Sequence, residues 1–287
     1  MLRRPALMLW KFVGWTAVLC SSSSLLCQPA SVKPEDSAAA ESTYVPHMTF
    51  DVASIRESGE GNFSFIDNVP KNSLFHGERL SAWGLILTAY DVKIGRLLEN
   101  VPPWAMEIRL DVTAKSDPST DEALAKLSKT DFYAEKHHML QLLLADRFKL
   151  KIHSETRMST TYELVTTKQT VKLMTPVTGD VGKTVSTCTT RYSSKGQEVD
   201  SKGCPFSIFL SGLRQTLGTT VVDHTGMSGA YAYHLMWNSS TRPPQDDEER
   251  YPQLLDAVRE QLGLELKETK GPVTFWVVDH IERPTPN

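Results

Sequence analysis

Two stretches in the last third of the chain carry the same apolar signature, and this recurrence restricts the fold more than any other feature. Phe206, Phe209, Leu210, Leu213 and Leu217 stand at i, i+3, i+4, i+7 and i+11, and Tyr251, Leu254, Leu255, Val258 and Leu262 stand at the same offsets. That spacing winds an apolar stripe along one face of an α-helix. Each series ends in Leu-Gly, at Gly218 and Gly263. Glycine is the residue that most readily takes the left-handed conformation that stops a helix. Extended stretches follow each stop: 219–222 and, after Gly226 and Gly229, 231–237 in one case; 264–267 and, after Gly271, 273–281 in the other. Any two amphipathic helices share these offsets, but a shared stop and a shared downstream order point to a repeated helix–strand–strand unit.

A related phrase spans 138–165. Met139, Leu142, Leu143 and Leu144 crowd one side of a helix. After Asp146-Arg147, Phe148, Leu150 and Ile152 alternate with Lys149, Lys151 and His153, the period of a half-buried strand. Residues 157–160 then read as a turn, and Tyr162, Leu164 and Val165 as the return strand of a hairpin. Upstream, strands are expected at 50–55, 63–66, 72–78 and 108–112, and a helix over 80–90 with Ser81 as its cap. Pro102-Pro103 reads as a helix stop. Residues 171–205 lack periodicity and read as an irregular loop between an N-terminal half, 48–170, and a C-terminal half, 206–287, holding the two repeats. The fold class expected is α+β: tandem helix–strand–strand units with helices packed on antiparallel sheet, and two similar halves.

The N-terminus has a different composition. Arg3 and Arg4 precede an apolar core, cleanest from Phe12 to Cys20, and four serines follow at 21–24. A basic start, a short apolar core and small residues make a secretory signal, here 1–28 with cleavage between Ser24 and Ala30. The core is shorter than the roughly 20 residues of a membrane span. An uncleaved anchor, or a lipid on Cys27, are the alternatives, and either would be the chain's one tie to a membrane. Residues 29–47, rich in Ala, Ser, Pro and Glu, read as a disordered tether. Cleavage leaves Cys188 and Cys204, which an oxidising compartment would join; closing such a loop stabilises by roughly 3 kcal/mol. The net charge of −3 and scattered basic residues give no general attraction to nucleic acid.

Familiar catalytic motifs are missing from the sequence. There is no His-Glu-x-x-His, no Gly-x-Ser-x-Gly elbow and no glycine-rich phosphate loop leading into a helix. His137 and His138 are neighbours and point about 100° apart on a helix, so they cannot share a metal comfortably. No metal or cofactor is expected. His153 and Glu155 share one strand face and suit ligand contact or acid–base work; a solvated polar face is their bland use. Asp223-His224 and Asp279-His280 are adjacent pairs whose members face opposite ways on a strand. Tyr231, Tyr233 and Trp237 share strand parity, and Trp104 follows the proline pair. An aromatic row can bind a sugar, a peptide or a partner strand, or it can pack a core.

Several phrases resemble a known family. They are 50–56 (Phe-Asp-Val-Ala-Ser-Ile-Arg), Ala89-Tyr90 with Pro103-Trp104, and 143–150 (Leu-Leu-Ala-Asp-Arg-Phe-Lys-Leu) with His153 and Glu155-Thr156. Later ones are 222–229 (Val-Asp-His-Thr-Gly-Met-Ser-Gly) with Tyr231 and Trp237, and 260–264 (Glu-Gln-Leu-Gly-Leu). Together they resemble the acidobacterial soil-associated exported proteins, a domain family of unknown function. The chain departs from that pattern at His224, Ala232 and Pro286. The resemblance implies a bacterial, exported protein. Some relatives look like the outer part of membrane-bound sensor metallopeptidases, and the unit is similar in outline to the short N-terminal domains of secretins and TonB-dependent receptors. Fold likeness alone carries no function. The expectation is a non-enzymatic binding module for an envelope protein, peptide or glycan, with His153, Glu155, Trp104, Tyr231, Tyr233 and Trp237 as candidate contacts. A cell-envelope hydrolase using His153, Glu155 and Asp223 is the alternative.

Overall fold

The computed structural model describes residues 44–61, 64–67, 72–168, 174–177, 188–193, 195–238 and 251–284. The expected leader and residues 29–43 of the expected tether lie outside them. The first half runs β1 (Val52–Glu57), β2 (Phe65–Asp67), β3 (Phe75–Leu80), α1 (Ala82–Ala89), β4 (Leu98–Glu99), α2 (Pro103–Glu107), β5 (Leu110–Lys115), α3 (Pro118–Ala125), α4 (Lys129–Arg147) and β6 (Lys151–Thr166). The second half runs β7 (Thr175–Val177), β8 (Cys188–Ser193), β9 (Gly196–Pro205), α5 (Phe206–Leu217), β10 (Val221–Asp223), β11 (Ala230–Trp237), α6 (Leu254–Leu262) and β12 (Leu264–His280). The fold is α+β, with helices packed on three sheets.

The two halves are copies of one arrangement. Their outer sheets have orders β1-β5-β3-β2 and β7-β11-β9-β8, antiparallel throughout. Each has a bulge at the same place, next to Arg79 (φ 56°) in β3 and Gly203 (φ 116°) in β9. Helix α1 buries Ala82, Leu85, Ile86 and Ala89; α5 buries Phe206, Phe209, Leu210 and Leu213 at the same offsets. Helix α4 buries Leu140, Leu143 and Leu144 ahead of Phe148, and α6 buries Leu254, Ala257 and Val258 ahead of Leu262. Left-handed residues then end both: Lys149 at φ 53° and Gly263 at φ 67°.

The third sheet joins the halves, in the order β10-β6-β12-β4. Its centre is a long antiparallel ribbon of β6 and β12. The separation that carries Lys149 onto Gly263 also carries Met158 onto Pro272, and these two residues face each other in the ribbon. A pseudo-two-fold axis therefore passes between them. One ribbon end, with Leu150 and Val278, closes the core beneath α1 and α4. The other, with Leu164, Leu264 and Leu266, closes the core beneath α5 and α6. Each half also lends the other a short strand: β4 runs parallel to β12, and β10 runs parallel to β6.

Several sequence expectations need correction. Residues 157–160 are not a hairpin turn: β6 runs straight through, as β12 runs through Gly271 and Pro272. Arg157-Met158-Ser159-Thr160 contains neither Gly, Pro nor Asn, and its partner is far away in sequence. Pro272 lies where β12 has no strand on its outer side among the described residues, the setting in which a strand tolerates proline. Pro103 opens a helix, occupying its first position, where a missing N–H costs nothing. The 171–205 region is not an irregular loop: its described residues form β7, β8 and β9. Strand β8 is exposed along its length, so it lacks the apolar alternation that marks a half-buried strand. The end of the expected tether is also fixed: the Tyr44 hydroxyl and the His47 and Met48 amides donate to the buried Glu135 carboxylate. Finally, the repeat is the half-chain: α5 corresponds to α1, and α6 to α4. The strands after Gly218 and Gly263 confirm the difference, because β10 pairs parallel with β6 and β12 antiparallel.

The paired caps give a stability test. A left-handed conformation costs a residue with a Cβ about 1–2 kcal/mol relative to glycine. Lys149→Gly is therefore expected to raise the free energy of unfolding by up to about 1 kcal/mol, less than the full amount because the Lys149 side chain also bonds the Asp146 carbonyl. Gly263→Ala is expected to lower it by about 1–2 kcal/mol. Urea unfolding of both variants checks the pair.

Candidate functional site

Helix α5 lies across the sheet of β8, β9 and β11, held by an apolar stripe that its sequence spacing dictates. The ring of Phe206 meets Tyr231 edge-on at 5.8 Å, and Phe209 meets Tyr233 edge-on at 5.4 Å. Such edge-to-face pairs are the preferred aromatic contact. Beside the buried stripe, Ile208, Gly212 and Thr216 form a second row one turn apart. Between that row and the sheet is a groove of about 140 Å³. Its floor is Phe209, Leu213, Tyr233, Leu235, Trp237 and Leu254; Cys188 and Thr190 of β8 and Gln197 and Val199 of β9 complete the wall. The Cys188–Cys204 disulfide, with Cα atoms 5.8 Å apart, ties that wall to the end of β9 that leads into α5.

The groove is mostly apolar, with Thr190, Gln197 and Thr216 as polar side chains along it. Trp237 is 4 % exposed, and its indole Nε1 is buried without a hydrogen-bond partner. Burial pushes the Tyr233 phenol up to about 12. The matching place in the first half carries different side chains. Strand register puts Val112, Ala114 and Ser116 where the second half has Tyr233, Leu235 and Trp237. Ser116 donates its amide to Ser73 Oγ at 3.0 Å, and Lys136 Nζ donates to the Asn72, Ser73 and Leu74 carbonyls.

The six expected contact residues fall in three places. Tyr233 and Trp237 line the groove, and Tyr231 packs beside it against Phe206. Trp104 belongs to the first half, where it faces the Arg283 guanidinium at 5.9 Å across a cleft of about 530 Å³ bordered by Ile55, Glu57 and Ile108. His153 and Glu155 sit on the ribbon. His153 Nδ1 is 2.9 Å from Asp279 Oδ2, and Glu155 pairs with Arg157, which also bonds Glu99 at 2.9 Å. The Arg157 guanidinium holds the Glu155 carboxyl below the usual range. Asp223 accepts from the Thr225 amide and hydroxyl and so shapes the turn before β11.

Two features escaped sequence reasoning. The His153–Asp279 pair depends on the bulge between Val278 and His280, which leaves Asp279 outside the strand register. The helix side of the groove depends on Ile208, Gly212 and Thr216; a glycine inside a helix was the available signal, since glycine costs about 1 kcal/mol there relative to alanine. Among the described residues no three His, Cys, Asp or Glu side chains come together as a metal would need.

Tyr233 provides a pH test. Its folded value of about 12 stands above the ordinary value of 10.0, so the folded state holds the phenolic proton more tightly than the unfolded chain. The resulting stability is complete below about pH 10 and is lost as pH rises through about 12. Absorbance titration at alkaline pH is expected to show one fewer late-ionising tyrosine in Tyr233→Phe than in the parent.

Comparison with known proteins leaves the function open. No curated protein and no solved structure gives a significant match. The pattern of one family, described as "Protein of unknown function (DUF3738)", matches residues 84–281, from α1 to the end of β12. That span takes in both copies of the helix–strand arrangement and the ribbon between them, and the chain belongs to this family.

Proposed function

We propose that this protein is an exported, non-enzymatic binding module whose ligand seat is the groove beside α5, serving an envelope sensing or interaction role. The single observation that carries the reading is the groove itself: a mostly apolar recess in which Tyr233 and Trp237, two of the aromatic residues singled out by strand parity, meet. Export is supported by the basic and apolar leader and by the Cys188–Cys204 disulfide. The likeness to soil-associated exported proteins points the same way.

A hydrolase is the second reading, and the His153–Asp279 pair favours it, because a carboxylate at an imidazole nitrogen is how a catalytic histidine is oriented. Against it, both side chains are about half exposed, and no described Ser, Thr or Cys is bonded to the ring. Glu155 and Asp223 are engaged elsewhere.

Two measurements test the proposal. N-terminal sequencing of the exported protein is expected to start between Ser24 and Ala30; a chain starting at Met1 would remove the cleaved leader. Saturation-transfer NMR with neutral apolar fragments, peptides and glycans is expected to give hits among the apolar fragments, with a change in Trp237 fluorescence and no product release. Turnover of a peptide or glycan that is lost in His153→Ala would replace the binding reading with the hydrolase.

A further inference from the structure

The strand along the rim of the groove identifies a partner for it, and this inference rests on the binding reading above. Strand β8 is the outer strand of its sheet, and all six of its residues are exposed. It pairs with β9 without a break, and Ser193 and Gly196 are partners three positions apart. So tight a hairpin closes on a hydrogen-bonded pair, and the pattern alternates from there. Ser193, Arg191 and Thr189 therefore turn their N–H and C=O groups to β9, and Cys188, Thr190 and Tyr192 turn theirs away from the sheet. Among the described residues nothing bonds the main chain of Thr190 or Tyr192. An exposed, regular edge is a template for another strand, and proteins blunt it with proline, a bulge or a very short strand. Strand β8 has six residues, no proline and an unbroken register, whereas the matching edge of the first half, β2, is three residues long.

Tyr192 is the second, independent observation. Cys188 and Thr190 line the groove, so strand parity turns Tyr192 to the same, helix side of the sheet. There it is 77 % exposed, and its hydroxyl accepts one long hydrogen bond, 3.5 Å, from Gln197 Nε2. A large aromatic side chain thus stands uncovered beside an open recess.

Two copies of β8 can pair antiparallel about a two-fold axis in few registers, because the outward groups belong to alternate residues. Thr190 facing Tyr192 of the second copy would set Arg191 directly against Arg191, a destabilising like-charge pair. Thr190 facing Cys188 would leave Tyr192 beyond the end of the other strand. Thr190 facing Thr190 sets Tyr192 against Cys188, and Arg191 against the small Thr189. Behind Thr189 on that outer face is Asp200 of β9, a carboxylate that no described residue pairs. The Arg191 guanidinium bonds Glu198 of its own chain at 3.3 Å and has donors to spare for Asp200 of the second copy. The same register brings Tyr192 of each copy to the groove of the other, since facing residues have Cβ atoms about 5 Å apart and Cys188 is on the groove wall. The space of about 140 Å³ has room for one ring. Gly212 leaves its helix side open, for a Cβ built there would meet nothing within 4 Å. Thr190, Gln197 and Thr216 along the groove suit a phenol, which is an apolar ring with a hydrogen-bonding tip.

We propose that the protein forms a two-fold dimer in which β8 pairs antiparallel with β8 of a second copy, Thr190 lies on the axis, and Tyr192 of each copy fills the groove of the other.

Sedimentation of the full mature chain over a range of concentrations tests this. The parent is expected to dimerise. Thr190→Pro removes an N–H that β9 does not use and is expected to give a folded monomer. Tyr192→Ser, at an exposed site, is expected to keep the fold and to weaken the dimer about tenfold or more, as loss of an aromatic anchor does. Under mild oxidation Thr190→Cys is expected to cross-link two chains, because facing residues of a hydrogen-bonded pair have Cα atoms about 5.5 Å apart. Thr189→Cys, which faces Arg191, is expected not to. A parent that stays monomeric, a dimer unchanged in Tyr192→Ser, or equal cross-linking at both positions would overturn the inference. Apolar-fragment binding to Tyr192→Ser is a separate readout. Fragments that bind this variant while the parent is monomeric remove the dimer and leave the groove as a ligand seat, and fragments that fail to bind it overturn both. Should Thr190→Pro fail to fold, Tyr192→Ser and the cross-linking pair still decide the matter.

Discussion

The pairing of β6 with β12 is the constraint on which the other elements depend. Each strand is preceded by a helix that lies over its own half's core, and each is entered through a left-handed residue, Lys149 or Gly263. Once the ribbon forms, its two ends become the floors of two separate cores. The short strands make the dependence mutual. Strand β4 comes from the first half but pairs with the second half's β12, and β10 makes the reverse arrangement. Neither half completes its central sheet alone. The contacts are also among the most distant in sequence that the chain makes, so the loop-closure entropy of joining the halves is met by the ribbon and by few other contacts.

This explains what could be read from the sequence and what could not. Local features were legible: the stripes of α5 and α6, the Ser81 cap that accepts from the Gly84 amide, and the glycine stops. Each is decided within one or two turns of chain. The hairpins were misread because alternation identifies a strand without identifying its partner. A stretch such as 157–160 looks like a turn when a local return strand is the simplest partner available. The period of the repeat was misread for a related reason. Helices α5 and α6 have similar stripes, so they look like copies of each other, and only the strand pairings show that their counterparts are α1 and α4. The copies keep burial but not residue type, as Val112 against Tyr233 and Lys149 against Gly263 illustrate.

The candidate site was half legible. Strand parity selected Tyr233 and Trp237, which do meet in one recess. It could not show that Trp104 stands against Arg283, or that His153 faces a bulged Asp279. Those facts depend on tertiary placement. The choice between an aromatic row that packs a core and one that lines a recess also had no sequence answer: Tyr231 and Tyr233 pack edge-on against α5, while Tyr233 and Trp237 also border the space beside it.

The duplication supplies a physical comparison within one chain. Both halves use the same strand order, the same bulge and the same buried helix positions, so the backbone alone does not decide which side chains stand between helix and sheet. The first half has the smaller Val112, Ala114 and Ser116 at the matching strand positions, and its buried polar groups satisfy one another. Ser73 and Ser116 bond across neighbouring strands, Lys136 reaches three carbonyls, and the buried Glu135 carboxylate gathers the amides of His47 and Met48. Buried charges are tolerable only when hydrogen-bonded in this way. The second half has large aromatic residues at the matching strand positions and still has room beside them, with a donor that no described group satisfies. The difference between the copies lies in the side chains of β11 and in Gly212 of α5, which line that recess.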